Sequence, residues 1–439
     1  MLTTRMKLAA AALVTLAVLV AAILLVNPAL CRVVGSGHAG GTNPTHKAVL
    51  ETAADRPWRT SGTDAGKDAA DREEVFRLYA ELTKNTPMFR PKLEGIPPFE
   101  VNGHEQLLAL IKSYEGVLED FPKEINEMRT GKRPWDQAAV LALLDRHKEL
   151  LDELVAISRL EHGEYDWNRH SFREIVSKSH VMNMIRLMGL AALAAANDQH
   201  GGEALAWMET INRLAGHLQE PKDSFSGLWG LGSRCAIYQL APKLAKYASG
   251  LPEFTTNLDR LLVDSRQSPV NFAADLRQGV VEYGLGGVVA NLAGNPDCYA
   301  PLKFDDAKKA LQLSMEKNAG FIEMAAKAKD FKELEDSNNK WKSGASKPEN
   351  LQDEALDLFN ALGVTPDGTM GSWANSETSR QLARVAVMMV ADPSNPARAM
   401  EAVATSEPEP RVIRYDPATR TLTAEPILAD GEAISVTLP

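Results

Sequence analysis

At 439 residues, with 44% hydrophobic residues, the chain is long enough and apolar enough to bury a large core. Its formal charge of −10 argues against a nucleic-acid partner, which needs a cationic face to release counterions from phosphates. Aromatic residues are only 6% while Ala and Leu are abundant, so a mostly all-α fold is expected.

The chain opens with Arg5 and Lys7, and Leu8 to Val26 then runs for 19 residues without a charge. At about 1.5 Å per residue this is long enough to cross the hydrocarbon core of a bilayer. A cleaved signal peptide normally has a shorter apolar region and a small-residue cleavage site. An uncleaved transmembrane anchor is therefore expected over residues 1–31. The basic residues ahead of it place the N-terminal tip in the cytoplasm. The rest of the chain is then extracytoplasmic, on a single-pass inner-membrane anchor. Cys31 follows Leu30, where a lipobox wants a small residue.

Residues 32–70 are rich in Gly, Thr, Ala and Asp without a sustained apolar period, and read as a flexible stalk. Helical patterning begins near Asp71, with Val75, Leu78, Tyr79 and Leu82 on one face. A proline-broken connector follows. "HEQLLALIKSYEGVLEDF" and "DQAAVLALLDRHKELLDELVAISRL" each predict one amphipathic helix. Val181 to Ala196 is the most apolar stretch after the N-terminal run and predicts a buried central helix, interrupted only by Asn183 and Arg186. "NDQHGG" reads as a turn into an antiparallel partner helix.

The next helix is punctuated by Gly230, Gly232 and Pro242, which argues against one straight rod. Further helices follow, one of them opened by Asp305 and Asp306. "TPDGTMG" reads as a turn before a last long helix beginning near Ser376 and Glu377. The tail changes to strand alternation around Asp416-Pro417 and Asp430-Gly431, which predicts a hairpin or small sheet. The expected organisation is a helical-hairpin domain over 71–345, either α-solenoid or bundle-like. Residues 346–439 add C-terminal helices and a small β-hairpin region.

The densest chemistry lies in "EHGEYDWNRHS", residues Glu161 to Ser171. Glu161, Glu164, Asp166, His170 and, further on, His180 are candidate acid/base groups. His162, Asp166 and His170 are candidate metal ligands. No HExxH spacing is present, and G-x-S-x-G is missing. Two S-x-x-K matches, Ser314/Lys317 and Ser337/Lys340, lack their companion elements. The competing reading is structural: Asp166 or Glu164 neutralises Arg186, and Trp167 closes the loop onto the core. The three cysteines, Cys31, Cys235 and Cys298, form no zinc spacing. An oxidising compartment would permit a Cys235–Cys298 disulfide, against two independent buried thiols.

Asp166-Trp167, Arg186-Leu187, Asp198, Ala204 and Glu220-Pro221 form a pattern of an Asp-Trp element, an Arg-bearing Leu/Ala helix, a turn and an Ala-rich helix. This quarter of the chain resembles uncharacterised membrane-anchored, helix-rich envelope proteins of planctomycete-type bacteria. "SRQLARVAVMM" near Arg384 is a second point of contact. The resemblance implies an envelope location and a helical fold, and assigns Asp166-Trp167 to the fold rather than to chemistry. It brings no activity. The expected role is a scaffold or interaction protein with a protein partner and no cofactor. An envelope hydrolase with a site near residues 161–186 is the alternative. A carbohydrate- or peptide-binding module is a third possibility.

Overall fold

The computed structural model describes residues 65–90, 94–114, 121–160, 163, 178–219, 224–247, 252–279, 304–344, 366–428 and 433–439. Among them it is mostly helical, with fourteen α-helices and one small sheet. The helices are α1 (Ala65–Leu82), α2 (Gly103–Ser113), α3 (Lys123–Thr130), α4 (Gln137–Arg146), α5 (Lys148–Ser158), α6 (Lys178–Asn197) and α7 (Gly201–Gln219). They continue as α8 (Ser224–Tyr247), α9 (Pro252–Asp264), α10 (Pro269–Gly279), α11 (Phe304–Lys327), α12 (Phe331–Gly344), α13 (Pro366–Ala391) and α14 (Pro396–Ser406). Strands β1 (Ile413–Asp416), β2 (Thr421–Ala424) and β3 (Ile434–Thr437) close the chain.

The centre is a mutually packed trio, α6, α7 and α8. On α6, Leu187, Met188, Leu190 and Leu193 are buried to within 2%. Each such side chain contributes about 1.5–3 kcal/mol on burial, whereas helix propensities differ by roughly tenths of a kcal/mol. Packing therefore fixes this helix. Small residues let the backbones approach. A methyl group on Gly189 would sit 2.8 Å from Leu240 Cδ1, and one on Gly230 would sit 2.7 Å from the Ala215 carbonyl oxygen. Helix α8 runs on through Gly230, Gly232 and Pro242, and Gly230 serves its close contact with α7.

The α6–α7 turn differs in detail from its sequence reading. The left-handed residue is Gln199, at φ 61°, while Gly201 and Gly202 already belong to α7. The N–H of His200 bonds the Ala195 carbonyl (2.8 Å) and that of Gln199 bonds Ala196 (3.1 Å), a Schellman closure. The Gln199 side chain also donates to the Tyr247 carbonyl at 2.7 Å, which anchors the turn to the end of α8.

Three further boundaries moved. The single helix expected over 136–160 breaks at His147, which adopts φ −108°, ψ 20°. Neither Pro nor Gly marks the break. It lets α4 lie on α6 while α5 lies against α2 and α7. Helix α13 begins at Pro366, ten residues before Ser376, and absorbs the "DGTMG" expected as a turn. Pro366 suits a first helical position, and Met370 and Trp373 are buried. Between α11 and α12 a break opens where Asp330 Oδ1 accepts from the Glu333 N–H (2.7 Å) and Glu333 accepts from the Lys329 N–H (2.9 Å).

Contacts among the described residues join elements far apart in the chain. A solenoid unit touches only its neighbours in the chain. Here α13 returns to pack on α8, α9 and α10, and α1 packs on α11. The sheet is an antiparallel meander, β1-β2-β3, laid on α13. Leu422 and Ala424 point into a core with Leu382, Val385 and Met389. Thr423 on the opposite face bonds Ser435 across the register at 2.9 Å. Asp416 accepts from the Ala418 N–H and the Thr419 hydroxyl, which forms the first turn as expected. The expected Asp430-Gly431 turn lies outside the described residues. Among the described residues no helix is long and apolar enough to cross a membrane, and the Leu8–Val26 run lies outside them.

Candidate functional site

Glu161, His162, Glu164, Asp166, Trp167 and His170 lie outside the described residues, as does Cys298. Of the predicted site residues, His180, Arg186 and Cys235 are placed. Both His180 and Asn183 are 3% exposed on α6. Arg186, one turn further on, is half-buried and donates from Nη1 to Asn183 Oδ1 at 2.8 Å. Cys235 carries a free thiol whose Sγ donates to Ser376 Oγ at 3.5 Å. Burial pushes this thiol up from its ordinary pKa, so it stays protonated and a poor nucleophile. Among the described residues no group of three or more His, Cys, Asp and Glu side chains could hold a metal ion.

The Arg186 charge acts on a second cation, Arg129. Arg129, in the last turn of α3, gives two hydrogen bonds to Asn126 Oδ1, at 3.2 and 3.0 Å. Lys243 of α8 donates to the Arg129 backbone carbonyl at 2.8 Å, capping the negative end of α3. Burial first, and then the adjacent Arg186 charge, bring the Arg129 guanidinium down to about 10. Burial, followed by Arg129, lowers Lys243 below the ordinary lysine value. Lys243 thus ties α8 to the end of α3.

A second charged cluster was not singled out from the sequence. Arg380 of α13 is 0% exposed and bonds Glu377 twice, Nε to Oε2 at 2.9 Å and Nη2 to Oε1 at 2.5 Å. It also bonds Glu407 and donates to the Leu262 carbonyl at 3.2 Å. Arg384 makes a two-pronged contact with Asp259, at 2.8 and 3.1 Å, and further bonds to Glu407 and to Ser406 Oγ. Glu377 Oε2 accepts from the Gln267 N–H at 3.2 Å. Burial alone would raise the Glu407 carboxyl, but Arg380 and then Arg384 outweigh it and hold it below the usual value. The signal was present in the sequence: Glu377, Arg380 and Arg384 recur at helical spacing inside an apolar run.

Two other polar features complete the described surface and core. His104 and His217 meet between α2 and α7, with His104 Nδ1 2.9 Å from the His217 carbonyl oxygen. Burial and the neighbouring His104 lower the His217 pKa. A cleft of about 340 Å³ between α7 and α9 brings Arg213 and Arg260 together with Glu209 and Asp264. Its charges are balanced in sign. No protein-family model, curated protein or solved structure matches this chain.

Proposed function

We propose that the chain is a membrane-anchored, extracytoplasmic helical scaffold that presents its bundle to a protein partner. The observation that carries this reading is how the buried ionisable groups are used. Arg380, Arg384, Glu377, Glu407 and Asp259 bind one another and tie α9, α13 and the segment after α14 into one body. Charges placed for chemistry face a cleft and a substrate. These charges face inward and lend rigidity, which is what a platform needs. The anchor and envelope location rest on the Leu8–Val26 run and on the sequence resemblance.

An alkaline-phosphatase fusion after Gly41 tests the topology, because that reporter folds only in an oxidising compartment. An active fusion is expected, and a stable but inactive one overturns the location. Photo-crosslinking side chains at Leu141 and Val263, exposed apolar positions on α4 and α9, are expected to trap a discrete protein in intact cells. Stoichiometric metal in the purified protein that disappears in His162→Ala and His170→Ala replaces the scaffold with the hydrolase reading.

A further inference from the structure

The last turn of α7 and the first turn of α2 meet through two imidazoles. His104 is fully buried, and its Nδ1 donates to the His217 carbonyl at 2.9 Å. His217 is 4% exposed, and its ring lies against Gly103. A methyl group on Gly103 would come within 2.5 Å of the His217 Cε1, 2.7 Å of Nε2 and 2.8 Å of Nδ1. Gly103 is the first residue of α2, so the ring rests on the positive end of that helix. This place suits a neutral imidazole. An imidazolium there is opposed by burial, by the helix end and by His104.

The surrounding charges do not reverse that preference. Helices α2, α5, α6, α8 and α9 all pack on α7. Among the described residues, His104 is the one titratable side chain on them that acts on His217. Glu105 follows His104 in the same buried turn. On α5, Ile157 meets His217 through its backbone, which favours the charged form less than burial opposes it. Glu153, a turn earlier on α5, acts on Tyr114. On α7 itself Arg213, one turn back, is exposed and lies 4.0 Å from Glu209.

We propose that His217 is a pH-sensitive latch on α2: its neutral ring seats the helix against α7, and protonation releases it. Release uncovers Leu107, Leu108, Leu110 and Ile111, which α2 buries in the docked state. The sign follows from the lowered pKa of His217. Docking is complete above the ordinary value of 6.5 and is lost as pH falls from there toward the lower docked value. Glu407 responds only below 4.5, outside that interval.

The test is hydrogen exchange of the full-length protein in mild detergent. It is read on the α2 amides over roughly pH 8 to 5, with each rate divided by the intrinsic exchange rate at that pH. Protection of α2 is expected to fall several-fold toward the acid end while that of α6 holds. His217→Gln is expected to keep α2 protected and to abolish the response. His147→Gln removes the other histidine whose pKa burial lowers, and is expected to preserve it. The His217 ring, followed by NMR, is expected to titrate below 6.5 in step with the loss of protection, a readout that needs no folded variant. Constant protection across the interval overturns the latch, as does a response that survives in His217→Gln or vanishes in His147→Gln. So does a His217 midpoint at or above 6.5.

Discussion

The charges on α13 and those gathered where α3, α6 and α8 meet are both withdrawn from water, yet they are neutralised differently. Around α13 two guanidinium groups meet three carboxylates drawn from α9, α13 and the segment after α14. Every charge has a partner within the chain, and the result is a structural knot. At the other junction Arg129 and Lys243 have, among the described residues, neutral oxygens as their hydrogen-bond acceptors. The same residue types therefore do different work. A buried cation with its own carboxylates ties segments together, whereas Arg129 and Lys243 are held, among the described residues, through neutral oxygens.

The largest expected effect breaks the paired side of this contrast. Glu407→Gln leaves Arg380 and Arg384 buried with less counter-charge, and should cost about 3–5 kcal/mol in denaturant unfolding. A cost below about 1 kcal/mol would mean that the knot does not hold the C-terminal segment in place. The pH dependence has a definite sign. Because the folded Glu407 carboxyl lies below its ordinary value of 4.5, its contribution is complete above that value. It is lost as pH falls through the lower folded value, and Glu407→Gln should flatten that acid limb. Asp259→Asn should cost less, about 1–2 kcal/mol, since Arg384 keeps Glu407 and the Asp259 side chain is 21% exposed.

On the unpaired side the direction reverses. Lys243→Met should stabilise the protein by about 1 kcal/mol, the scale of an ordinary single substitution. A clear loss of stability instead would show that capping α3 outweighs the repulsion. The folded state binds fewer protons at Lys243 than the unfolded state over the interval below 10.5. Stability should therefore rise with pH as 10.5 is approached, and the substitution should remove that rise.

The helical body was legible because its apolar spacing is strong. Val75, Leu78, Tyr79 and Leu82 were expected on one face and are buried to 8% or less, and Val181 to Ala196 is the central buried helix. The break at His147 was not legible, because its cause is that α4 and α5 pack on different partners. The Asp330–Glu333 cap was readable as an Asp-x-x-Glu signal and was passed over. The crowded Glu161–Ser171 segment lies, apart from Gly163, outside the described residues. The charges whose partners the structure does show are carried by plainer segments. Glu377, Arg380 and Arg384 are charges on one helix whose partners, Asp259 of α9 and Glu407, lie elsewhere in the chain.

Sequence by itself determined the class of fold, the most buried helix, the C-terminal strands and the long apolar run near the N-terminus. These depend on local spacing, which each segment carries within itself. Only the tertiary structure decided that α13 returns to α8 and α9, and that Asp259 and Glu407 meet two arginines on that helix. It alone decided that Lys243 of α8 reaches the Arg129 carbonyl at the end of α3. Pairings such as Arg384 with Asp259, 125 positions apart, leave no periodic trace in the chain. Whether a charge is neutralised depends on what folds over it.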